Sequence, residues 1–326
     1  MLYETFVFVS VFLAVLNSMG LVLSSSYCFK YGSRVYIFIL SAAGWILGYV
    51  IEGPNFSLPQ SSLTWIYVIP LIVVLMLTLL NYPTSITQLY ISTLLGYSLA
   101  TNYYQGLSAV VRIASSWILS FVVGLTVSAF LRKSLVRMLQ SVSVIKVLLW
   151  VRVLSLTYVF MLSYVLGGNL LGSVASLLGI VNSAKSILLI STSIVASVYV
   201  SLRSGISLGF TKILFPTRYL TSLIPYTVSL VLTQIANRLG VPIVISLVMF
   251  SSMIGVGLAS EFKVFHRRRI IMYVLTSYIG PFILSLLLSY GLTNIYMTNL
   301  KKLLTYSLST LENTAMMDTS IGSPNG

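Results

Sequence analysis

The sequence predicts an all-α integral membrane protein of about ten transmembrane passages, arranged as two inverted repeats with broken helices or hairpins. Its 326 residues are 57% hydrophobic and 7% charged, with a mean hydropathy of +0.99, whereas a soluble domain carries about 25% charged residues. The apolar stretches are about 20 residues long, the length at which a helix crosses a bilayer. A proline interrupts an apolar stretch once in each half, at Pro83 and Pro242, and such paired interruptions are typical of transporters.

The first half of the chain, residues 1–143, contains five apolar segments that predict five passages. The fourth segment begins after Pro83, and a break is expected there because the residue before a proline is disfavoured in the helical region. The N-terminus lacks the basic segment of a cleaved signal peptide, so the first segment is interpreted as a retained passage. The five predicted passages are 5–25, 35–53, 63–80, 84–100 and 107–131.

The second half, residues 144–294, repeats this organisation, with its break at Pro242. Gly96 follows Pro83, and Gly255 follows Pro242, at the same distance of 13 residues, and this equal spacing indicates a duplication. The first segment of this half is long enough to be one long or one broken passage. The five predicted passages are 150–180, 186–203, 217–237, 242–260 and 270–294.

The last part of the chain, residues 295–326, is expected to lie outside the repeats. Residues 295–312 are predicted to form an amphipathic helix at the membrane surface, because leucines recur on one stripe beside two lysines. Residues 313–326 are small and polar and are expected to be disordered. The stripe consists of Leu300, Leu304, Leu308 and Leu311.

The distribution of cations predicts the orientation, with both termini outside a cell membrane. With the N-terminus outside, most of the 19 Lys and Arg residues fall in cytoplasmic segments, as the positive-inside rule requires. An odd number of passages in each half then gives the two halves opposite orientations, so the repeats are inverted. The net charge of +14 is therefore explained by the cations that orient the chain in the membrane, and no nucleic-acid partner is expected. The cytoplasmic cations are Lys30, Arg34, Arg132, Lys133, Arg137, Lys146, Arg203, Lys212, Arg218, Lys263, Arg267, Arg268 and Arg269, and the external ones are Lys185, Arg238, Lys301 and Lys302.

The inventory of reactive side chains argues against an enzyme. The only histidine, His266, falls in a basic loop, so neither a Ser-His-Asp triad nor a histidine metal site is expected. The single cysteine, Cys28, excludes an internal disulfide. Five acidic residues are present, and all are expected at span ends, in loops or in the tail. They are Glu4, Glu52, Glu261, Glu312 and Asp318.

The break at Pro83 has the chemistry of an anion site. A helix that starts there presents free backbone N–H groups and the positive end of its dipole, which together bind an anion without a buried cation. Ser85 is the expected cap, and Thr87 and Gln88 add hydrogen-bond donors beside it. In the second half Ser246 is the corresponding hydroxyl. The alternative reading is helix packing, since small hydroxyl residues let helices approach closely.

Two asparagines fall in the first passage of each half. Asn17 and Asn169 carry carboxamides at membrane depth, which is costly unless they pair with protein, water or substrate. Substrate binding and structural bonding between helices both remain open for them. Two arginines, Arg112 and Arg152, fall in or near passages; they are expected to extend to the membrane surface, and an inward orientation of either would attract anions.

Together these motifs resemble the inorganic phosphate transporter (PiT) family, whose members are cation-coupled phosphate symporters with inverted repeats. In that family each repeat opens with G-A-N-D-x-x-N-x-x-G and later carries P-x-S-T-T-H. Residues 83–88 match the second motif at Pro83, Ser85 and Thr87, with Gln88 in place of His. The opening motifs are matched in part by Asn17-Ser-Met-Gly20 and by Gly167-Gly168-Asn169, and Leu239-Gly240-Val241-Pro242 is similar to the entry of the second hairpin.

The chain departs from the family at both motif aspartates, whose positions hold Ala14 and Leu170, and Ser173 replaces a later asparagine. The resemblance implies a permease for phosphate or a related small oxyanion, working by alternating access. No cofactor is expected, and a coupling cation, Na+ or H+, would have lost its acidic ligands. The expected partners are the anion and the lipid bilayer, and a homo-oligomer stays open. The implied substrate-binding residues are Asn17, Ser85, Thr87, Gln88, Asn169, Ser173 and Ser246.

The missing aspartates and the apolar second hairpin also motivate a different reading. In this alternative the chain is a transport-inactive relative of such permeases and serves as a structural or assembly subunit of a membrane complex. The two readings differ in what fills the space between the hairpins, either substrate and water or packed side chains.

Overall fold

The computed structural model describes residues 2–29, 33–79, 84–139, 144–180, 183–204, 219–259, 272 and 274–321, and these residues contain helices but no strand. Pro83, Lys212, Arg218, Glu261 and the basic loop with His266 lie outside the described residues. The helices are α1 Leu2–Phe29, α2 Arg34–Glu52, α3 Val68–Leu79, α4 Ile86–Thr101, α5 Tyr104–Leu139, α6 Val144–Leu166, α7 Gly172–Leu178, α8 Ala184–Ser204, α9 Tyr219–Arg238, α10 Ile245–Leu258 and α11 Gly280–Ile321. Two π-helical segments, Gly167–Leu171 and Leu275–Ile279, precede α7 and α11 directly, and two 3-10 turns, Gly53–Asn55 and Thr64–Tyr67, lie between α2 and α3.

The prediction of an all-α membrane protein with broken helices is confirmed, because a helix occupies each of the ten predicted passages. Within the described residues, six helical stretches are long and apolar enough to cross a membrane. They are Tyr3–Leu23, Arg34–Asn55, Tyr104–Leu135, Val153–Leu178, Ala184–Ser204 and Leu275–Leu303. The other four predicted passages are α3 with α4, here called hairpin 1, and α9 with α10, called hairpin 2. The long predicted passage 150–180 is one helical stretch, in which the π-helical segment Gly167–Leu171 separates α6 from α7.

Glycines set how closely α2 and α6 approach. A Cβ atom placed on Gly48 would lie 1.9 Å from the carbonyl oxygen of Tyr164, and one on Gly44 would lie 2.6 Å from that of Phe160. A Cβ on Gly167 would in turn lie 2.3 Å from the carbonyl oxygen of Trp45. The two helices therefore pack backbone against backbone, as small residues allow within membranes.

Helices of the two halves pack in reciprocal pairs. In the first pair, α4 packs on α11 while α10 packs on α5, and in the second α2 packs on α6 while α1 packs on α8. The glycines that follow the two prolines at equal distance lie in the first pair of contacts. A Cβ on Gly96 would lie 2.5 Å from the carbonyl oxygen of Leu286, and one on Gly255 would lie 2.1 Å from that of Leu125. Equivalent positions of the two halves thus make equivalent contacts with the other half.

Four contacts bring together chain segments that were predicted to be external. Tyr3 Oη donates to the carbonyl oxygen of Leu178 at 3.0 Å, and Glu4 pairs with Lys185. The backbone N–H of Leu58 donates to Ser176 Oγ at 2.7 Å, and the rings of Trp65 and Tyr296 lie 5.8 Å apart. These segments therefore lie at the same end of the bundle.

The end of the chain differs from the prediction. We expected a separate amphipathic helix over 295–312 and disorder over 313–326, but α11 continues without interruption from Gly280 to Ile321. The physical reason is that no proline or glycine occurs between Gly291 and Gly322, so nothing in the sequence ends the helix once it has formed.

Candidate functional site

The Asn17 carboxamide ties α1 to both sides of the break in hairpin 1. Its Nδ2 donates to the carbonyl oxygen of Thr84 at 2.6 Å, and its Oδ1 accepts from Thr78 Oγ1 at 3.3 Å. Thr78 lies at the end of α3 and Thr84 just before α4. Both the donor and the acceptor atom of this half-buried carboxamide are therefore hydrogen-bonded to the hairpin, which offsets the loss of its hydration.

The start of α4 is capped by Ser85, whose Oγ accepts the backbone N–H of Gln88 at 3.3 Å. The N–H groups of Ile86 and Thr87 have no acceptor within the helix, because the first turn of an α-helix has no preceding carbonyls. The cap is held against the π-helical segment that precedes α11, since Gln88 Nε2 donates to the carbonyl oxygen of Tyr278 at 3.3 Å. Residues Asn17, Thr78, Thr84, Ser85 and Gln88 form what we call the hairpin-1 cluster.

A matching contact is made in the second half. Asn169 Nδ2 donates to Asn237 Oδ1 at 3.0 Å, and Asn237 Nδ2 donates to the carbonyl oxygen of Val165 at 3.1 Å. Asn169 belongs to the π-helical segment before α7, and Asn237 lies at the end of α9 in hairpin 2. Within the described part of the chain, the buried Asn169 Oδ1 has no hydrogen-bond partner. Single π-helical turns inside α-helices occur frequently at functional sites.

A buried carboxylate adjoins this contact, and the sequence did not reveal it. Glu52, expected at a span end, has a side chain with 0% exposure. Its Oε1 accepts from Tyr164 Oη and from Gln234 Nε2, each at 3.1 Å, and pairs with Arg238 Nη2 at 3.4 Å, while its Oε2 accepts from Asn55 Nδ2 at 3.3 Å. The available signal was an acid inside a 22-residue apolar helix, Arg34–Asn55, because such a residue marks a functional site by default.

Glu52 and the Asn169–Asn237 contact form one connected unit. A Cβ placed on Gly168 would lie 2.6 Å from Glu52 Cβ and 2.7 Å from Asn237 Nδ2. Asn55 Nδ2 also donates to the carbonyl oxygen of Asn237, at 3.2 Å. We call Glu52, Asn55, Tyr164, Asn169, Gln234, Asn237 and Arg238 the hairpin-2 cluster. Among the described residues, no hydrogen bond joins the hairpin-1 cluster to the hairpin-2 cluster, so Asn17 and Ser85 belong to one group and Asn169 to another.

Both clusters lie deep within the bundle. The contact between Tyr3 and Leu178 sets the ends of α1 and α7 level with each other. At a rise of about 1.5 Å per residue, Asn169 lies about 14 Å from that end and Asn17 about 21 Å from it. Both asparagines are therefore far from this end of the bundle, and Asn17 lies about 7 Å deeper than Asn169.

The other predicted site residues are placed less favourably. Thr87 is buried with 4% exposure in the first turn of α4. Ser173 Oγ donates to the carbonyl oxygen of Leu170 on its own helical segment at 3.0 Å, and Ser246 is half-buried in the first turn of α10. Arg112 is exposed on α5, and the side chain of Arg152 lies outside the described parts.

The second helix of hairpin 2, α10, begins later than predicted. We expected Pro242 in the first turn of a helix, but α10 begins at Ile245, and its N-cap residue, Val244, makes no side-chain cap. The carbonyl oxygen of Pro242 accepts from Trp117 Nε1 at 3.0 Å. This bond to α5 holds the residues before α10, and the helix starts only after them, with an apolar first residue.

Comparison with known proteins supports the fold. No protein-family model matches the chain, and no curated protein matches it. A solved structure described as "The sodium-dependent phosphate transporter" is similar to it with a TM-score of 0.54 and 14% sequence identity, covering 91% of this chain and 98% of that one. At this low identity the similarity establishes the fold alone.

Proposed function

We propose that the protein is a permease for inorganic phosphate or a related small oxyanion. The observation that carries the proposal is that each half binds its own hairpin through an asparagine in its opening passage. Asn17 bonds to Thr84 and Asn169 bonds to Asn237, and both contacts are far from the end of the bundle at which Tyr3 meets Leu178. Membrane transporters place substrate sites near the midplane, at interrupted helices of matching repeats.

The transport cycle we propose is alternating access between inverted repeats, residues 1–143 and 144–294. The reciprocal packing of α4 on α11 and of α10 on α5 supports the repeat, because each half contributes the same element to the same kind of contact. Each half has five passages if both hairpin helices cross the membrane, and three if the hairpin enters and leaves on the same side. The number is odd in either case. The second repeat therefore has the opposite orientation, with both termini outside the cell membrane.

The seven residues predicted from the sequence to bind the anion are neutral. The helix start at Ser85 offers backbone N–H groups and a positive dipole end, and Thr87 and Gln88 lie in the same turn of α4. Asn17 and Asn169 lie in the opening passages of the two halves, and Ser173 and Ser246 are the remaining residues proposed to bind the anion.

Uptake of radiolabelled phosphate into liposomes containing the purified protein tests this function. We expect uptake by the native chain and at least about a tenfold loss with Ser85→Ala combined with Thr87→Ala, since charge-assisted hydrogen bonds contribute roughly 1.5–3 kcal/mol each. The matched control is Ser115→Ala combined with Thr126→Ala, two exposed hydroxyls bonded to carbonyls of their own helix. Absence of uptake by the native chain, or an unchanged rate in the Ser85/Thr87 variant, contradicts the proposal. The same assay with sodium replaced by choline, and then with a proton gradient, identifies any coupling cation.

One observation favours the alternative of a transport-inactive subunit. Several donors in the proposed site are already bonded within the protein, since Gln88 donates to Tyr278 and Thr84 Oγ1 donates to the carbonyl oxygen of Ser277 at 2.9 Å. A permease must release such bonds during its cycle, whereas a structural subunit keeps them. The alternative predicts no uptake, together with co-purification of a stable partner from the native membrane.

A further inference from the structure

The hairpin-2 cluster contains more acceptors than its neighbours satisfy. A carboxylate accepts about four hydrogen bonds and donates none. Glu52 Oε1 accepts hydrogen bonds from Tyr164 and Gln234 and pairs with the Arg238 guanidinium. Its Oε2 accepts a hydrogen bond only from Asn55. Within the described part of the chain, Asn169 Oδ1 is the second acceptor of the cluster with unused capacity, and it is buried to 1% exposure without a partner.

The cluster is also close to neutral, so it does not repel an anion outright. Glu52 carries one negative charge, and Arg238 carries one positive charge 3.4 Å from it. Only Nη2 of Arg238 is engaged in that pair, and its side chain is 70% exposed. A guanidinium has five N–H donors, so most of those of Arg238 remain to meet the oxygen atoms of an anion that approaches the cluster.

Two acceptors with unused capacity beside the Arg238 guanidinium can bind a ligand that has both an O–H donor and negatively charged oxygens. An oxyanion that keeps a proton has both acceptor oxygens and an O–H donor. Phosphate and arsenate keep at least one proton at neutral pH, whereas sulfate has none. A buried acceptor that meets no donor destabilises the complex, and a buried carboxylate facing a bare oxyanion adds repulsion between like charges.

We propose that Glu52 and Asn169 are the specificity-determining acceptors of the anion site, and that they select oxyanions that carry a proton, phosphate and arsenate, over sulfate. This inference rests on the proposed function and names its substrate class. The P–O–H or As–O–H group donates to Glu52 Oε2 or Asn169 Oδ1, and the charged oxygens accept from Arg238. Sulfate satisfies the guanidinium but leaves the two acceptors without a donor.

The test measures binding of radiolabelled phosphate to the purified full-length protein in detergent, in competition with arsenate and sulfate. In the native protein we expect arsenate to compete about as well as phosphate, and sulfate at least about tenfold less well, because a site built to bond an O–H group rejects ligands that lack one. Glu52→Gln supplies an amide donor in place of an acceptor, so the preference for phosphate over sulfate should fall at least about tenfold.

The control is Glu4→Gln, which removes the same charge from an exposed acid paired with Lys185 and should leave the ratio unchanged. A loss of packing alone lowers binding of all three anions together, so the ratio separates selectivity from stability. An unchanged ratio in a folded Glu52→Gln protein overturns the inference, as does equal competition by sulfate in the native protein if the variant fails to fold. Phosphate binding without this selectivity leaves the permease proposal standing, whereas absence of phosphate and arsenate binding overturns both.

Discussion

At the scale of single residues, the contact between Asn169 and Asn237 shows how a buried polar group obtains its hydrogen bonds. Asn237 joins two elements, because it accepts from Asn169 and donates to the carbonyl oxygen of Val165. The sequence singled out Asn169 as a carboxamide at membrane depth but gave no reason to choose Asn237, which ends a helix of ordinary polarity. Its role follows from the packing of α9 against the segment Gly167–Leu171.

Replacing Asn237 by Ala is expected to destabilise the protein by about 2–4 kcal/mol. The change leaves the buried Asn169 Nδ2 without its acceptor, which costs about 1–3 kcal/mol, and removes the bond to the Val165 carbonyl, which contributes about 1 kcal/mol. Thermal unfolding in detergent, followed by circular dichroism, measures the loss. Thr126→Ala, at an exposed position of α5, is the control and should unfold as the native protein does. A melting temperature equal to that of the native protein would show that the pair contributes nothing.

The triplet Asn55-Phe56-Ser57 has the sequence of a glycosylation acceptor, yet we expect it to stay unmodified. Asn55 Nδ2 is the atom that a glycan would occupy, and it donates to Glu52 Oε2 and to the carbonyl oxygen of Asn237. Expression in a glycosylating eukaryotic cell, followed by endoglycosidase digestion, should therefore leave the apparent mass unchanged. A shift that Asn55→Gln abolishes would refute the expectation.

At the scale of elements, the contact between α2 and α6 depends on the absence of side chains. Gly44 and Gly48 lie one turn apart on α2, and Cβ atoms there would meet backbone carbonyls of α6. Carbonyl groups of a helix cannot rotate away as a flexible side chain can, so any substitution must move a whole helix. The same contact carries Glu52 and Tyr164 into bonding distance at the end of α2.

Gly48→Ala is expected to destabilise the protein by about 1–3 kcal/mol, the usual cost of overpacking, because its Cβ would lie 1.9 Å from the Tyr164 carbonyl oxygen. Gly291→Ala is the matched control, since a Cβ at Gly291 meets nothing within 4 Å. That change should stabilise α11 by up to about 1 kcal/mol through helix propensity alone. Thermal unfolding should therefore move in opposite directions for the two variants, and a shift of the same sign in both would refute the packing argument.

At the scale of the whole molecule, the two halves hold each other in place. The helix after each break, α4 or α10, packs on the long closing helix of the opposite half. Contacts such as that of Tyr3 with Leu178 bring the ends of the two opening passages together at one end of the bundle. This exchange of partners makes each hairpin part of the interface between the halves.

The predicted orientation is tested by labelling single cysteines with a membrane-impermeant maleimide in intact cells, on a Cys28→Ser background. Lys185→Cys should react from outside, because it is exposed at the start of α8 and belongs to the end predicted to be external. Lys133→Cys, exposed near the end of α5, should react only after the cells are permeabilised, since the positive-inside rule places it in the cytoplasm. The reverse pattern would invert the topology while leaving the fold intact.

The sequence by itself determined the class of the protein and the approximate places of its ten predicted passages. Hydropathy and proline act locally: a stretch of about 20 apolar residues crosses a bilayer, and proline removes a helical hydrogen bond wherever it occurs. The same local reasoning identified Asn17, Asn169 and Ser85, whose polar groups contrast with their apolar neighbours.

Only the tertiary structure decided which residues meet. Glu52 appeared to be a helix-end acid in sequence, but Tyr164, Gln234 and Arg238 approach it from helices far along the chain. Such partners depend on the angle and register at which helices pack, and these are set by small residues such as Gly48 and Gly168 across contacts that no sequence window contains.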